Sequence, residues 1–109
     1  MPTRPDTLQG SLPLLVLTIL DRRGPLHGYA ITSHIQAVSD VLRVEEGSLY
    51  PALHRMEEAG WIKARNITTE HNRRARAYEI TAAGRRQLGI EERRWRSITD
   101  AVNYVLKHA

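Results

Sequence analysis

Apolar residues recur at helical spacing in three segments of the first 60 residues. The segments carry Leu14, Leu15, Leu17 and Leu20, then Ile31, Ile35 and Val38, then Leu49, Leu53, Met56 and Gly60. Spacings of three and four residues place side chains on one buried helical face. We therefore expect a first helix capped by Ser11, a second beginning near His27 and a third in the segment that contains Leu49.

The third segment has the most informative polar face. Proline is tolerated in the first turn of a helix, so Pro51 places the N-cap near Gly47 or Ser48. The helix is expected to end at Gly60. The apolar rhythm turns Ser48, Pro51, His54 and Arg55 outward, which is typical of a helix that presents polar groups to a surface.

After Gly60 the helical spacing of apolar residues gives way to strand-like runs. Residues 61–65 and 76–80 are two short strand-like runs, and the polar stretch between them contains Asn66 and Asn72. Two such runs around a polar loop predict a β-hairpin.

A last helix is expected from Thr81, which can cap it, to about Leu106. About 25 residues at 1.5 Å each make roughly 37 Å, more than a small three-helix core can cover. One heptad position holds Leu88, Trp95 and Val102, and its companion holds Glu91, Ile98 and Val105. This spacing predicts a dimer interface of five apolar residues, here called the seam: Leu88, Trp95, Ile98, Val102 and Val105.

The order of elements predicts a mainly α (α+β) fold, a winged helix-turn-helix with a two-stranded wing and a long C-terminal dimerisation helix. Residues 1–10 are polar, contain two prolines and are expected to form a flexible arm. Residues 11–81 are assigned to the winged helix-turn-helix domain and residues 82–109 to the dimerisation helix. A length of 109 residues fits one such unit.

Charge is concentrated in the hairpin. Residues 63–76 carry Lys63, Arg65, Arg73, Arg74 and Arg76 against Glu70. Five cations against one anion equal the whole formal net charge of +4, because the remaining residues balance. A local basic patch of this kind favours a polyanion, and nucleic acid is the first candidate partner.

Other classes of protein find little support in the sequence. The chain has no cysteine, which is compatible with a reducing cytoplasm, the expected location. It has no apolar run of about 18 residues, so no membrane span is expected. Catalytic motifs and cofactor-binding loops are not apparent, and an enzyme is not expected. His54 with Glu57 or Glu58 has the spacing of metal ligands, but a third ligand is not evident, and no metal is expected.

Four ordered motifs resemble the PadR family of bacterial transcriptional regulators. They are LHGY at 26–29, GSLYPAL at 47–53, EEAGWI at 57–62 and YEITAAG at 78–84. The single helix after the wing resembles the C-terminal part of the short subfamily of these regulators. The resemblance implies a homodimeric DNA-binding repressor with Tyr50 as a DNA-contacting residue. This sequence departs from the family pattern at Asn72, where glycine is frequent, and at Ala77, where an aromatic residue is frequent. Asparagine tolerates a left-handed backbone, so the turn is still expected to form.

DNA binding then separates into two tasks. The third helix contacts base edges, and Arg55 is the best candidate because a guanidinium can donate two hydrogen bonds to guanine. The wing arginines contact phosphates. The predicted DNA-binding residues are Ser48, Tyr50, Pro51, His54, Arg55, Arg73, Arg74 and Arg76. A pseudo-palindromic operator is expected because a symmetric dimer presents two copies of the third helix to the DNA.

Two alternatives stay open. Trp95 either fills the dimer core or walls a cavity, and in some short PadR-like regulators paired tryptophans at this position hold flat aromatic effectors between the subunits. The resemblance therefore names a small aromatic effector at Trp95 as a hypothesis. The second alternative is a winged-helix module for protein interaction, in which the basic wing docks on an acidic partner without sequence-specific DNA binding.

Overall fold

The computed structural model describes residues 6–39, 41–42 and 44–109. The helices are α1 (Asp6–Arg23), α2 (Gly28–Val38), α3 (Glu46–Glu58) and α4 (Ala82–His108), and the strands are β1 (Leu26–His27), β2 (Ile62–Thr68) and β3 (Arg74–Ile80). The predicted class is confirmed: the chain is mostly helical with a small antiparallel sheet, in a winged-helix arrangement.

Helix α1 begins earlier than the sequence indicated. It starts at Asp6, so the prediction that Ser11 caps it and that residues 6–10 belong to an arm was wrong; residues 1–5 of that arm lie outside the described residues. Leu12, at 4% exposure, is thus a buried residue inside α1. Pro13 is consequently an interior residue of α1 and has no amide hydrogen to donate within the helix.

Helix α2 begins as expected. His27 is its N-cap, and the Nδ1 atom accepts a hydrogen bond from the amide of Ala30 over 3.2 Å. The residue Val38 was predicted on the buried face but is 73% exposed, because the last turn of α2 extends beyond the core.

Helix α3 begins at Glu46, with Glu45 as N-cap, so the cap predicted near Gly47 or Ser48 was wrong. Pro51 lies in the second turn, where its ring removes the bond to the carbonyl of Gly47. Gly47 is exposed, so water can solvate that carbonyl. The helix ends at Glu58, and Gly60 follows it on the surface with a φ of 82° instead of on the buried face.

The predicted hairpin is present and longer than expected. Strands β2 and β3 pair antiparallel from Ile62↔Ile80 to Thr68↔Arg74, and Asn72 turns the wing with a φ of 59°. Strand β1 adds a third strand that the sequence did not reveal, because two residues are too few to show a period. It pairs with the other edge of β3 through Leu26↔Tyr78 and His27↔Ala77.

The core lies between α1, α2, α3 and the sheet. Its buried apolar residues are Leu12, Val16, Leu17, Ile19, Leu20, Ile31, Ile35, Val44, Leu49, Ala52, Leu53, Met56, Ile62, Tyr78 and Ile80. Trp61, which directly precedes β2, is partly buried and packs against this cluster. The buried side of α3 therefore fixes which of its residues reach solvent.

The first part of α4 packs on the core, and the rest of the helix projects beyond it. Thr81 caps it as predicted, its hydroxyl oxygen accepting from the amide of Gly84 over 3.0 Å. Leu88 packs against the core of its own subunit, so this member of the seam is already partly covered. The other four, Trp95, Ile98, Val102 and Val105, are 43–60% exposed. None of the helices in the described part of the chain is long and apolar enough to span a membrane.

Candidate nucleic-acid interface

The outward face of α3 matches the sequence prediction at three of its four residues. Pro51, His54 and Arg55 are exposed, and Ser48 is half-buried. His54 Nε2 lies 3.6 Å from Glu58 Oε2 in an exposed pair. Arg55 has no side-chain hydrogen bond or ion pair to any residue that the structure describes. Its guanidinium is therefore available to a base edge or a phosphate.

Tyr50 combines packing with exposure. Its ring lies over Gly28 at the start of α2: a Cβ atom placed on Gly28 would be 2.6 Å from the phenolic oxygen. The residue is nevertheless 42% exposed. The phenol thus joins α3 to the first turn of α2 and still presents part of its surface to a ligand.

Two of the five cations in the basic patch of the wing form ion pairs. Lys63 Nζ lies 3.9 Å from Glu79, and Arg76 Nη2 lies 2.8 Å from Glu57 Oε2. The remaining three cations, Arg65, Arg73 and Arg74, have no carboxylate within 4.0 Å among the described residues, and all three are exposed. The sequence places Arg76 in one basic cluster with Arg73 and Arg74, whereas in the structure Arg76 pairs with Glu57 of α3.

One exposed aromatic residue was missed by the sequence analysis. Tyr29, on the first turn of α2, is 64% exposed and faces the wing across a cleft. Tyr29 ends the motif LHGY at 26–29, but no periodic pattern in the sequence links it to the wing. Only the pairing of β1 with β3 brings the start of α2 beside the hairpin.

Trp95 lines two cavities. One, of about 620 Å³, lies between α1, α2 and the middle of α4, with Ile19, Ile35 and Arg96 among its lining residues. The other, of about 240 Å³, lies between the start of α1 and α4, where Glu91 is also a lining residue. Glu91 is 6% exposed and accepts a hydrogen bond from Gln87 over 2.8 Å. Within the described residues, no three side chains of metal-ligating type come together.

Comparison with known proteins agrees with this architecture. Residues 16–90, more than half of the chain, match the model of the "Transcriptional regulator PadR-like family". A PadR-like transcriptional regulator from Bacillus cereus superposes with a TM-score of 0.80 at 26% identity, covering 96% of this chain and 100% of the other. A transcriptional regulator from Clostridium thermocellum gives 0.83 at 27% identity, covering 92% and 97%.

A sequence relative comes from a transposon of Streptomyces fradiae. This uncharacterised 37.1 kDa protein is 43% identical over 78 residues, which is 72% of this chain. The chain spans about 21% of the length of that relative. The similarity therefore concerns one part of a larger protein.

Proposed function

Because this chain belongs to the PadR-like family of transcriptional regulators, we propose that it is a repressor that binds a pseudo-palindromic DNA operator as a homodimer. Members of the family are transcriptional regulators and not enzymes. The observation that carries the proposal is the shared exposure of Arg55 on α3 and of Arg73 and Arg74 on the wing, all three without an ion-pair partner among the described residues. Unpaired guanidinium groups are suited to base edges and phosphates.

The two elements divide the work. In the proposed complex α3 enters the major groove, where Ser48, Tyr50, Pro51, His54 and Arg55 face the bases and the adjacent backbone. Arg73, Arg74 and Arg76 of the wing face phosphates, Arg76 after leaving Glu57. Half-sites are expected about one helical turn apart, since each subunit of a symmetric dimer presents one α3.

The homodimer is supported by the exposed part of the seam. Trp95, Ile98, Val102 and Val105 follow one face of α4 and are 43–60% exposed in a single chain. A contiguous apolar face on a helix that projects beyond its own core favours association with a second apolar face. A second copy of the chain supplies such a face by symmetry.

Binding to DNA is tested by titrating the protein into labelled random duplex and into a duplex enriched by repeated selection from a random pool. Fluorescence anisotropy at several salt concentrations gives both affinities. We expect salt-sensitive binding to random duplex at micromolar protein, and an affinity for the selected duplex roughly 10³-fold higher or more. Absence of salt-sensitive binding would favour the alternative module, in which the wing docks on an acidic protein.

We further propose that a small planar aromatic effector releases the operator by binding beside Trp95 at the dimer interface. The exposure of Trp95 and the two cavities that it lines support this. A ligand there would shift the spacing of the two α3 helices if it binds one spacing better than the other. In a Trp61→Phe variant, quenching of the remaining tryptophan reports binding. Compounds that bind without changing operator affinity would contradict this mechanism.

A further inference from the structure

A cleft of about 770 Å³ separates the first turn of α2 from the wing. It is lined by His27, Tyr29, Thr69, Glu70, His71, Arg73, Arg74 and Ala75. We call it the wing cleft. Its lining residue on α2, Tyr29, is not among the predicted DNA-binding residues.

Tyr29 forms the α2 side of the wing cleft. Its hydroxyl makes no hydrogen bond to another described residue, and the side chain is largely in solvent. The ring lies nearly parallel to that of His27, with 12° between the planes and 6.5 Å between the centroids. Because Nδ1 of His27 accepts from Ala30, the hydrogen of the neutral ring is on Nε2. Two hydrogen-bond donors are thus available on this side.

The opposite side is cationic and held in place. Two hydrogen bonds close the turn of the wing: the amide of Thr69 donates to the carbonyl of Arg73 over 2.8 Å, and the amide of Arg73 donates to the Thr69 hydroxyl oxygen over 3.2 Å. The guanidinium groups of Arg73 and Arg74 therefore project from an ordered turn. His71 adds a further polar group, and Glu70 is the single carboxylate among the lining residues.

The wing cleft is continuous with the face of α3. Gly28 is the neighbour of Tyr29 in α2, and the ring of Tyr50 lies over Gly28. A ligand that follows this surface passes from α3 over the first turn of α2 to the wing. A nucleic-acid backbone is a ligand of this extended, anionic kind.

We propose that the wing cleft holds one phosphodiester strand of the duplex, with the hydroxyl of Tyr29 donating to a phosphate oxygen and Arg73 and Arg74 on the opposite side. Helix α2 is then a third DNA-contacting element. This inference rests on the proposed DNA binding. It assigns Tyr29 a positional role that is independent of base sequence, because a phosphate contact carries no direct sequence information.

The test compares Tyr29→Phe with Tyr104→Phe. Both tyrosines are similarly exposed, at 64% and 66%, but Tyr104 is near the far end of α4. Anisotropy titrations use the selected duplex and random duplex over a range of salt. For Tyr29→Phe we expect a loss of about 3- to 20-fold on both duplexes with an unchanged salt slope, since a neutral donor is removed. Tyr104→Phe should bind like the wild type.

A second variant tests whether removal of a negative charge from the wing cleft strengthens DNA binding. Glu70→Gln removes the only lining carboxylate, so both affinities should rise and the salt slope should become steeper. Wild-type affinity in Tyr29→Phe, or a loss confined to the selected duplex, would overturn the assignment of Tyr29. Absence of DNA binding by the wild type would overturn the proposed function itself, so the two failures are distinguishable.

Discussion

The guanidinium of Arg76 donates a hydrogen bond to the carboxylate of Glu57 over 2.8 Å, and this pair joins the wing to α3. The two side chains are 54% and 32% exposed. A surface pair of this kind contributes at most about 1 kcal/mol, because water screens the charges. Arg76 can therefore exchange its carboxylate for a DNA phosphate at little cost.

Replacement of the carboxylate tests this exchange. We expect Glu57→Gln to raise the affinity for both selected and random duplex about 3- to 10-fold and to make the salt slope steeper by about one phosphate equivalent, because Arg76 is released. The free energy of unfolding should change by less than about 1 kcal/mol. Anisotropy at several salt concentrations and urea denaturation measure the two quantities.

Glu58→Gln is the matched control, because it removes the same charge from the next position while its partner is His54 and not an arginine. Its effect on the salt slope should be smaller. The double variant Glu57→Gln with Arg76→Gln should lose the gain. An unchanged or shallower slope in Glu57→Gln would show that Arg76 does not reach phosphate.

The division between base and phosphate contacts is tested at Arg55 and Arg73. Arg55→Ala should reduce the preference for the selected duplex by about 5- to 150-fold, the range of one bidentate base contact. Arg73→Ala should weaken all duplexes similarly and reduce the salt slope by about 0.9. Arg73→Lys should keep the wild-type salt slope, because the positive charge remains. Arg55→Lys should still lose the preference for the selected duplex, because lysine cannot donate two parallel hydrogen bonds to one base. Equal loss of preference in both alanine variants would contradict the division.

Gly28 determines where the ring of Tyr50 lies. In Gly28→Ala the new Cβ would approach the phenolic oxygen to 2.6 Å, so the ring must move from its place between α2 and α3. We expect weaker operator binding, by about 3- to 30-fold if one hydrogen bond to DNA is lost. In Tyr50→Ala the same glycine substitution should have little additional effect. Additive losses in the double variant would show that the two residues act separately.

Gly84 is required by a close approach that the sequence did not reveal. A Cβ atom there would collide with the carbonyl oxygen of Trp61, which also accepts from the amide of Thr81 over 3.0 Å. Gly84→Ala should lower the free energy of unfolding by about 1–3 kcal/mol, the usual effect of overpacking.

Gly89→Ala on the same helix is its control. The added methyl group would lie 3.5 Å from Arg93 Nη1, an ordinary contact, and should stabilise the protein by about 0.5–1 kcal/mol. Thermal and urea denaturation compare the two variants. Similar stability changes at both positions would contradict the role assigned to the Trp61 carbonyl.

The proposed dimer is tested on the exposed part of the seam. Val102→Glu places a charge on the apolar face of α4, and we expect sedimentation equilibrium to show a dissociation constant at least about 10-fold higher, because the charge loses water on association. Asn103→Glu adds the same charge one position away from the seam and should leave the constant nearly unchanged. Equal effects of the two substitutions would place the interface elsewhere.

Local chemistry determined much of the fold. The sequence predicted the cap at Thr81, a start of α2 near His27, the buried side of α3 and the left-handed turn at Asn72, because helical periodicity and hydrogen bonding of short side chains act over about four residues. The exposed Arg55 followed from the same periodicity.

Only the tertiary structure decided the relationships between distant residues. Arg76 meets Glu57 across 19 positions, the Trp61 carbonyl meets Gly84, and Tyr29 meets the wing once β1 pairs with β3. Helix α1 also starts at Asp6 and carries Pro13 in its interior, although proline is best tolerated in a first turn. Sequence patterns describe neighbours along the chain, whereas packing selects neighbours in space.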